Sequence, residues 1–440
     1  MTRQLIFAFL LLITLGIFAW TILRIMRYFR LTKPAFPVKD FGRRFKVMLD
    51  VAFGQTKIFR RPVVGFFHAL VFWGFCVILL GSIEMVIDGL FGTEKALKVL
   101  GIFHDIVMAS GDCFALLVAV SIIIFLCRRL FLTIKRFQGI EMKHSNHVDA
   151  IIALSLILLL MISLLGMNAA YYSFNRTLGN EIYGIYPVGR VGSVLFSGMD
   201  VSRVRVIYEV CWWTHILLIF VFANVLPYSK HFHVFMSVPN VFLSRLDPLG
   251  KLTNMDNVTR EVKLMLNLDT AFAATDTNAP VERFGVKDVE DITWKNYFDS
   301  LSCTQCGRCT SVCPANLTGK RLSPRKIIMD VRARMKEKGP GLVRNGKEYS
   351  DNKSLVRDII SEEEIWACTT CNACAMECPI NINHPTLIVD MRRYLVMEEG
   401  SAPGEIKAVF STIENNGAPW QYSPEDRLLW SKDLEIKVRT

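Results

Sequence analysis

Five long apolar stretches constrain this chain more than any other feature, because each is long enough to cross a lipid bilayer as a helix. Of its 440 residues, 52% are hydrophobic. The first stretch has an apolar run too long for a secretory signal, lacks a small-residue cleavage site, and continues into the basic segment RIMRYFRLTK. The sequence therefore predicts an N-terminal membrane domain of five helices. The stretches cover approximately residues 4–24, 63–88, 101–127, 148–171 and 206–228.

The distribution of Lys and Arg between the loops predicts the orientation of these helices. Segment 24–61 holds eleven basic and two acidic residues, and segment 128–147 holds five basic and one acidic. The loops on the other side hold two basic residues in 82–100 and four in 173–205. The positive-inside rule places the N-terminus outside and the C-terminal part in the cytoplasm, with the chain in a bacterial inner membrane. Because the +11 net charge lies mainly in these loops, nucleic acid is not an expected partner.

Two short cysteine runs, CTQCGRCTSVCP and CTTCNACAMECP, lie in the C-terminal part. Each has the C-x₂-C-x₂-C-x₃-C-P spacing in which three Cys bind one [4Fe–4S] cluster and the fourth binds the other cluster. Two such runs predict two clusters; zinc sites commonly need only four Cys, and disulfides are disfavoured in a reducing cytoplasm. The expected ligands are Cys303, Cys306, Cys309 and Cys378 for one cluster, and Cys368, Cys371, Cys374 and Cys313 for the other.

Histidine is rare in this chain, with eight in all. An imidazole within an apolar stretch is costly and indicates a functional site, and neutral imidazole is a common axial ligand of haem iron. His215 and His233 are 18 residues apart, which is five turns of a continuous helix, so both are expected on one face. His68 and His233 are both expected near the inner surface of the membrane, and His104 and His215 near its outer surface. Each of these pairs could therefore bind one haem iron. These pairs predict one or two b-type haems; the alternative is a set of hydrogen-bonded structural histidines.

The membrane part resembles the gamma subunit of respiratory nitrate reductase, a five-helix dihaem cytochrome b. That family also places two His 18 residues apart on its fifth helix, matching His215 and His233, and a ligand on its second helix that matches His68. Its other second-helix His corresponds to Ile78 here, so a second haem requires His104 to substitute from the third helix.

The C-terminal part resembles the C-type subunit of heterodisulfide reductase, an α-helical ferredoxin. The stretch FGVKDVEDITWKNYFDSLSCTQCGRCTSVCP is similar to membrane proteins that fuse both modules, some of them proposed electron-transfer flavoprotein:menaquinone oxidoreductases. Many of those continue into a CCG domain like that of the D-type subunit of heterodisulfide reductase. No CCG motif occurs here, and the closing segment NNGAPWQYSPEDRLLWSKDLEIKVRT resembles the stretch that leads into such a domain.

These features predict an all-α protein, a five-transmembrane-helix, cytochrome b-like bundle followed by a cytoplasmic α-helical ferredoxin domain. Helices are expected over DVEDITWKNYFDSL, SPRKIIMDVRARMKEKG, LVRDIISEEEIWA and HPTLIVDMRRYLVMEEG, with the glycine of the second ending it. The expected domains are a membrane domain (1–236), a linker (237–290), a ferredoxin domain (291–400) and a partner-docking C-terminal extension (401–440).

Five basic residues between the cysteine runs are expected to form a solvated helix face. The alternatives are a docking face or compensation for negatively charged clusters. They are Arg321, Arg325, Lys326, Arg332 and Arg334.

The resulting hypothesis is a membrane oxidoreductase subunit that passes electrons between a cytoplasmic partner and menaquinone or ubiquinone. The expected partner is a CCG-domain protein like the D-type subunit of heterodisulfide reductase, or an electron-transfer flavoprotein. By analogy with the nitrate reductase gamma subunit, the quinone is expected near the outer haem, where the candidate proton-exchanging groups are Glu84, Asp88, Asp105 and Asp112. The alternative is a membrane anchor that docks a soluble redox enzyme without its own quinone site. An ion-coupled device is disfavoured, because charged residues are scarce deep in the apolar stretches.

Overall fold

The computed structural model describes residues 1–266, 283–346 and 348–434 and shows a helical protein. No β-strand occurs within those ranges, so the predicted all-α class is confirmed for the described part. Part of the predicted linker 237–290 and the end of the predicted extension 401–440 lie outside the described residues.

Five helices are long and apolar enough to cross a membrane, as predicted. They extend beyond the apolar stretches, and the second and third have 30 residues each, about 45 Å of helix. The helices of the N-terminal part are α1 (Thr2–Phe29), α2 (Phe41–Met48), α3 (Pro62–Phe91), α4 (Ile102–Phe131), α5 (His144–Leu178), α6 (Pro187–Gly192), α7 (Val201–Val225), α8 (His233–Phe242) and α9 (Asp256–Leu266). Helices α1, α3, α4, α5 and α7 are called the membrane bundle.

Small residues let the helices of the membrane bundle approach closely. Helix α5 packs against α4 and α7, α3 packs against α4, and α1 contacts α3 and α7. A Cβ atom at Gly74 would lie 2.5 Å from the Val118 side chain, and one at Gly89 would lie 2.6 Å from the Phe7 ring. Close packing of this kind matters in lipid, where burial of apolar surface does not favour contact between helices.

The fifth membrane helix does not continue to His233. Helix α7 ends at Val225, and two 3₁₀ turns separate it from α8. Pro227 lies in the first turn and lacks the backbone N–H that would continue the helix. Ser229 then has an extended backbone, with φ −87° and ψ 160°. The continuous helix expected from the spacing of His215 and His233 is therefore wrong.

The C-terminal part is built from shorter helices, and residues 291–400 are called the cysteine domain. Helix α13 continues through Pro340, so the predicted end at Gly339 is wrong. A Cβ at Gly339 would lie 3.0 Å from the Tyr28 ring, so its missing side chain makes room for the end of α1. The helices are α10 (Trp294–Ser302), α11 (Arg308–Ser311), α12 (Pro314–Leu317), α13 (Pro324–Asn345), α14 (Glu362–Trp366), α15 (Ala373–Glu377), α16 (His384–Met397) and α17 (Gly404–Asn416).

Two of the expected helices begin later than predicted, because capping side chains fix where each one starts. Thr293 and Asn296 form a capping box, so α10 begins at Trp294. Ser361 and Glu364 form another before α14, which leaves the preceding residues outside any helix.

The core of the cysteine domain is continuous with the membrane bundle. Ile25 and Tyr28, near the end of α1, and Leu31, just after it, belong to the same buried cluster as the apolar faces of α13 and α16. Each such side chain contributes about 1.5–3 kcal/mol on full burial. Those faces include Ile327, Ile328, Val331, Met335, Leu387, Ile388, Met391 and Leu395.

Arg325 does not lie on a solvated face but docks the cysteine domain on the loop between α4 and α5. Its side chain is 1% exposed. Its Nε donates to Glu141 Oε1 at 2.9 Å, Nη1 donates to the Arg136 carbonyl at 2.6 Å, and Nη2 donates to the Gln138 carbonyl at 2.8 Å. A buried guanidinium requires such full pairing, because an unpaired charge is costly away from water.

The other basic residues of this set also depart from the predicted solvated face. Arg332 donates to the carbonyls of Pro227 and Ser229 at 3.2 and 3.0 Å, at the end of the fifth span. Lys326 pairs with acidic side chains of its own domain, and Arg334 is buried. Of the five, Arg321 alone is largely exposed, at 70%. Arg325 and Arg332 instead bind groups in the membrane part of the same chain, and the partner-docking and charge-compensation alternatives stay predictions.

Arg334 organises a buried ion network between the cysteine domain and the residues just before it. Its Nη2 lies 2.8 Å from Asp288 Oδ2 and 2.6 Å from Asp351 Oδ1. Lys338 lies 2.9 Å from the same Asp288 oxygen and 2.7 Å from Glu290. The segment before α10 is thereby tied to α13.

Arg334→Met should destabilise the protein by about 3–5 kcal/mol, because Asp288 would stay buried without its main counter-ion. The measurement is the urea midpoint of tryptophan fluorescence in detergent. The matched control is Arg321→Met, which removes an exposed arginine 3.6 Å from Glu363 and should cost less than about 1 kcal/mol. Equal losses for the two variants would contradict a structural role for the buried network.

Candidate redox site

The two cysteine runs share one backbone conformation. Gln305 and Gly307 in the first run have φ of 58° and 72°, and the corresponding Thr370 and Asn372 in the second have 54° and 60°. Such left-handed residues are uncommon outside glycine, so their recurrence at the same two positions marks a repeated loop. A Cβ at Gly307 would also lie 2.3 Å from the Arg136 carbonyl oxygen, which explains why glycine stands there.

The eight thiols of the two runs form two groups of neighbours, and each group takes three thiols from one run and one from the other. The members of a group lie close enough to affect one another's ionisation. Cys374 of one group also lies close enough to affect Cys309 of the other, so the two groups are adjacent. The first thiol group contains Cys303, Cys306, Cys309 and Cys378, and the second contains Cys313, Cys368, Cys371 and Cys374.

The protein alone disfavours ionisation of the buried thiols Cys309 and Cys378. Burial raises the pKa of Cys378 to about 12, and burial together with neighbouring thiols raises the pKa of Cys309. A bound metal centre supplies the positive charge that keeps grouped thiolates ionised. Within the described ranges, no three His, Cys, Asp or Glu side chains are arranged to hold a single metal ion. Eight thiols in two groups of four fit two [4Fe–4S] clusters better than a zinc site, which commonly needs four Cys in all.

The two thiol groups differ in exposure. Cys309 and Cys378 of the first group are buried, and no Cys of that group is exposed. In the second group Cys371 is exposed, together with the adjacent Thr369 and Thr370. The second group therefore opens to the surface of the cysteine domain, whereas the first does not.

Arg308 joins the first thiol group to the segment that leads into α3. Its Nη1 donates to the Lys57 carbonyl at 2.7 Å and its Nη2 to the Ile58 carbonyl at 3.1 Å. In return, Lys57 Nζ donates to the Cys378 carbonyl at 3.2 Å. The first thiol group is therefore held against the end of the membrane bundle at which α3 begins.

His68 and His233 come together at this end of the bundle. His68 lies within electrostatic reach of His233 and of Arg308, and its buried Nδ1 has no hydrogen-bond partner among the described residues. His233 donates Nδ1–H to the Lys230 carbonyl at 3.3 Å, which leaves Nε2 for another partner. Burial lowers the pKa of His233 to about 4, so its ring is neutral at pH 7, the form that binds iron. The donor set fits a haem iron.

His215 lies deeper in the bundle and is 1% exposed. Its Nδ1 is 2.9 Å from the Leu160 carbonyl and 3.0 Å from Ser163 Oγ. A backbone acceptor on one ring nitrogen is typical of a histidine whose other nitrogen binds a metal. His215 also lines a cavity of about 40 Å³ together with Ile78, the position where the resembling family has a histidine.

His104, the expected partner of His215, is engaged by carboxylates. Its Nε2 lies 3.0 Å from Glu84 Oε1, and its Nδ1 lies 3.9 Å from Asp105 Oδ1. To bind a haem iron, His104 would have to give up one of these contacts. Nothing in the structure brings its ring to a shared iron with His215, so the outer pair stays a prediction.

Two of the acidic candidates serve as caps. Asp88 accepts hydrogen bonds from Thr93 Oγ1 and from the backbone N–H groups of Lys95 and Ala96, at 2.7, 3.1 and 2.9 Å. Asp112 holds the start of α6, since its Oδ2 accepts from the N–H groups of Val188 and Gly189 at 2.7 and 2.9 Å, and its Oδ1 accepts from Asn168 at 3.0 Å.

Two residues of the site were not predicted from the sequence. Arg308 had a local signal, because it lies between two predicted cluster ligands. Lys57 had none, since a lysine in a polar loop ordinarily points into solvent.

Comparisons with known proteins bear on the same regions. A family model described as a 4Fe-4S dicluster domain matches residues 302–382. The chain is 29% identical over 442 residues to a probable iron-sulfur-binding oxidoreductase, FadF, of Bacillus subtilis, which covers 90% of this chain and 57% of that protein. It is 28% identical over 408 residues to the EtfAB:quinone oxidoreductase of Syntrophomonas wolfei, with 88% and 53% covered. The chain thus spans just over half the length of these relatives.

A shorter match covers the cysteine domain. Over 101 residues the chain is 35% identical to the C-type subunit of the ferredoxin/F420H2-dependent CoB-CoM heterodisulfide reductase of Methanosarcina acetivorans, covering 23% of this chain and 48% of that protein. No solved structure matches the chain. The relatives indicate an iron–sulfur electron-transfer protein of the oxidoreductase type and confirm the predicted likeness to the C-type subunit of heterodisulfide reductase.

Proposed function

We propose that this protein is a membrane-bound electron-transfer subunit that links a cytoplasmic redox partner to the quinone pool. When bound, two [4Fe–4S] clusters and a b-type haem would carry single electrons between that partner and a quinone. The observation that carries the proposal is the contact between the first thiol group and the segment leading into α3, the helix that holds His68.

The thiol groups support crossed ligand sets. Each group takes its fourth thiol from the other run, as the Cys-Pro spacing predicts. The first thiol group would hold the cluster next to the membrane bundle, and the second would hold the cluster next to the surface. His68 and His233 would hold the haem on the inner side.

The exposed loop around Cys371 is the proposed entry point for the partner. The partner would be an electron-transfer flavoprotein or a CCG-domain protein like the D-type subunit of heterodisulfide reductase. The name of the Syntrophomonas relative supports the first of these and also supports a quinone as the other electron carrier. Apolar side chains exposed on the C-terminal extension, including Phe410, Trp420 and Trp430, support the docking role proposed for it.

The proposed orientation keeps the cysteine domain in the cytoplasm. The two most basic loops, 24–61 and 128–147, contact this domain through Lys57 and Arg136, and basic loops stay on the cytoplasmic side of a bacterial inner membrane.

A membrane-anchored ferredoxin without its own quinone site is the second candidate function. The cavity beside His215, at about 40 Å³, is far smaller than a ligand pocket of the usual ~300–1,000 Å³. In that case, electrons would pass between the cytoplasmic partner and another protein, and no quinone would take part.

Crossed ligation predicts which serine variants resemble one another. Cys378→Ser should leave the same electron paramagnetic resonance spectrum as Cys303→Ser, and Cys313→Ser the same spectrum as Cys368→Ser, because each pair would lose the same cluster. Cys211→Ser, in the membrane bundle, is the control and should keep all iron. If Cys378→Ser instead matches Cys368→Ser, each run binds its own cluster.

His68→Ala and His233→Ala should each remove the same haem, measured as pyridine haemochrome per polypeptide. His231→Ala is the matched control, because it removes the same side chain two residues away from His233, and it should retain haem. Undiminished haem in His68→Ala would contradict the inner pair.

Reduction of the wild-type protein by menadiol supports the quinone-linked function, and its absence favours the anchored ferredoxin.

A further inference from the structure

A short helix between the first two helices of the membrane bundle exposes an apolar side. Helix α2 continues directly into a π-helical turn at Leu49–Phe53, and residues 41–53 are together called the surface helix. It is too short to span a bilayer, which takes about 20 residues. Phe41, Phe45, Leu49 and Phe53 recur at every fourth position, so they share one side of the helix, and each is 39–63% exposed. These four side chains are called the apolar stripe.

The other side of the surface helix is packed against the rest of the chain. Val51 is buried together with Val241 of α8, and Ile380, two residues after the second cysteine run, packs on this cluster. Arg44 is buried as well, and its Nη1 donates to the Ser244 carbonyl at 2.7 Å. The apolar stripe is therefore held in a fixed direction, and the described part of the chain leaves it largely uncovered.

Two tryptophans indicate the depth of the surface helix relative to the bilayer. Trp20 in α1 and Trp73 in α3 each lie 18 residues, or about 27 Å, from Thr2 and Phe91, the helix ends farthest from the cysteine domain. The hydrocarbon core of a bilayer is about 30 Å thick, and tryptophan is enriched at its edges. Trp73 Nε1 donates to the Phe53 carbonyl at 2.9 Å. The surface helix therefore lies at the edge of the hydrocarbon core.

The exposed charges around the apolar stripe are mainly basic. Lys39, Arg43 and Lys46 are exposed, against the exposed acids Asp40 and Asp50. An amphipathic helix with an apolar side and basic residues typically lies in the plane of a membrane surface, where its apolar side enters the acyl region. Basic residues at that depth attract the headgroups of anionic phospholipids.

We propose that the surface helix is an in-plane membrane anchor, with its apolar stripe in the acyl region of one leaflet and with Arg43 and Lys46 bound to anionic phospholipid headgroups. Lipid is the occupant that fits, because the stripe lies at the edge of the hydrocarbon core and basic side chains surround it. Through Val51 and Ile380 the anchor supports the cysteine domain on the bilayer. Lipid contact of this kind requires no quinone, so it is independent of the proposed electron transfer.

The first test identifies what touches the apolar stripe. Full-length protein carrying p-benzoylphenylalanine in place of Phe45 is placed in vesicles of equal parts phosphatidylglycerol and phosphatidylcholine, irradiated and examined by mass spectrometry. Position 45 should form lipid adducts in at least tenfold higher yield than position 410, where the same replacement of the exposed Phe410 on α17 is the matched control. Equal yields, or an adduct that joins two copies of the chain, would overturn the assignment of lipid.

The wild-type protein provides a second readout, which needs no substitution. Hydroxyl radicals oxidise aromatic side chains that water reaches. In the same vesicles Phe41 and Phe45 should be oxidised at least tenfold more slowly than Phe410, although all three side chains are exposed in the protein itself. Similar oxidation rates at the three positions would contradict burial of the stripe in lipid.

The third test addresses the headgroups. Adducts at position 45 should contain more phosphatidylglycerol than phosphatidylcholine. The double variant Arg43→Gln/Lys46→Gln should lower this preference by roughly fivefold or more, since fivefold is the effect of one basic residue near an anionic membrane surface. Lys407→Gln, which removes an exposed lysine of α17, is the control and should keep the preference. Equal amounts of the two lipids in the adducts before any basic residue is replaced would overturn headgroup binding.

Discussion

The two hydrogen bonds from Arg308 to the carbonyls of Lys57 and Ile58 connect the redox chemistry of this protein to its membrane part. Arg308 lies inside a predicted cluster-binding loop, and the carbonyls that it binds precede α3, so its hydrogen bonds join the first thiol group to the helix that holds His68. Hydrogen bonds from a charged donor contribute about 1.5–3 kcal/mol each. The return bond from Lys57 to the Cys378 carbonyl closes the contact from the other side.

Buried charges and an apolar core both stabilise the interface between the membrane bundle and the cysteine domain, but in different ways. The core that runs from Ile25 and Tyr28 into α13 favours contact but does not specify one orientation. Arg325 specifies it, because its donors must meet Glu141 and two carbonyls of one loop at the same time. Buried ion pairs add little net stability, and their directional demands are the better reason for their presence between the cysteine domain and the membrane bundle.

Histidine has different surroundings at the two ends of the membrane bundle. At the end near the cysteine domain, the rings of His68 and His233 keep nitrogens without carboxylate partners, which suits binding to iron. At the far end, His104 Nε2 already faces Glu84 at 3.0 Å, and Asp105 lies 3.9 Å from its Nδ1. Residue type and depth alone do not distinguish these cases.

The sequence by itself determined the features that depend on neighbours along the chain. Apolar length set the five membrane helices, Cys-x₂-Cys spacing set the cluster-binding loops, and capping residues such as Ser323 set a helix start. Tertiary structure decided whatever depends on residues distant in sequence. Gly339 does not end α13, because Tyr28 packs against it, and Arg325 leaves its solvated face for Glu141, 184 residues away. Likewise His104 finds Glu84 on another helix, because a buried charge takes whichever partner the fold brings within reach, and spacing along the chain does not reveal that partner.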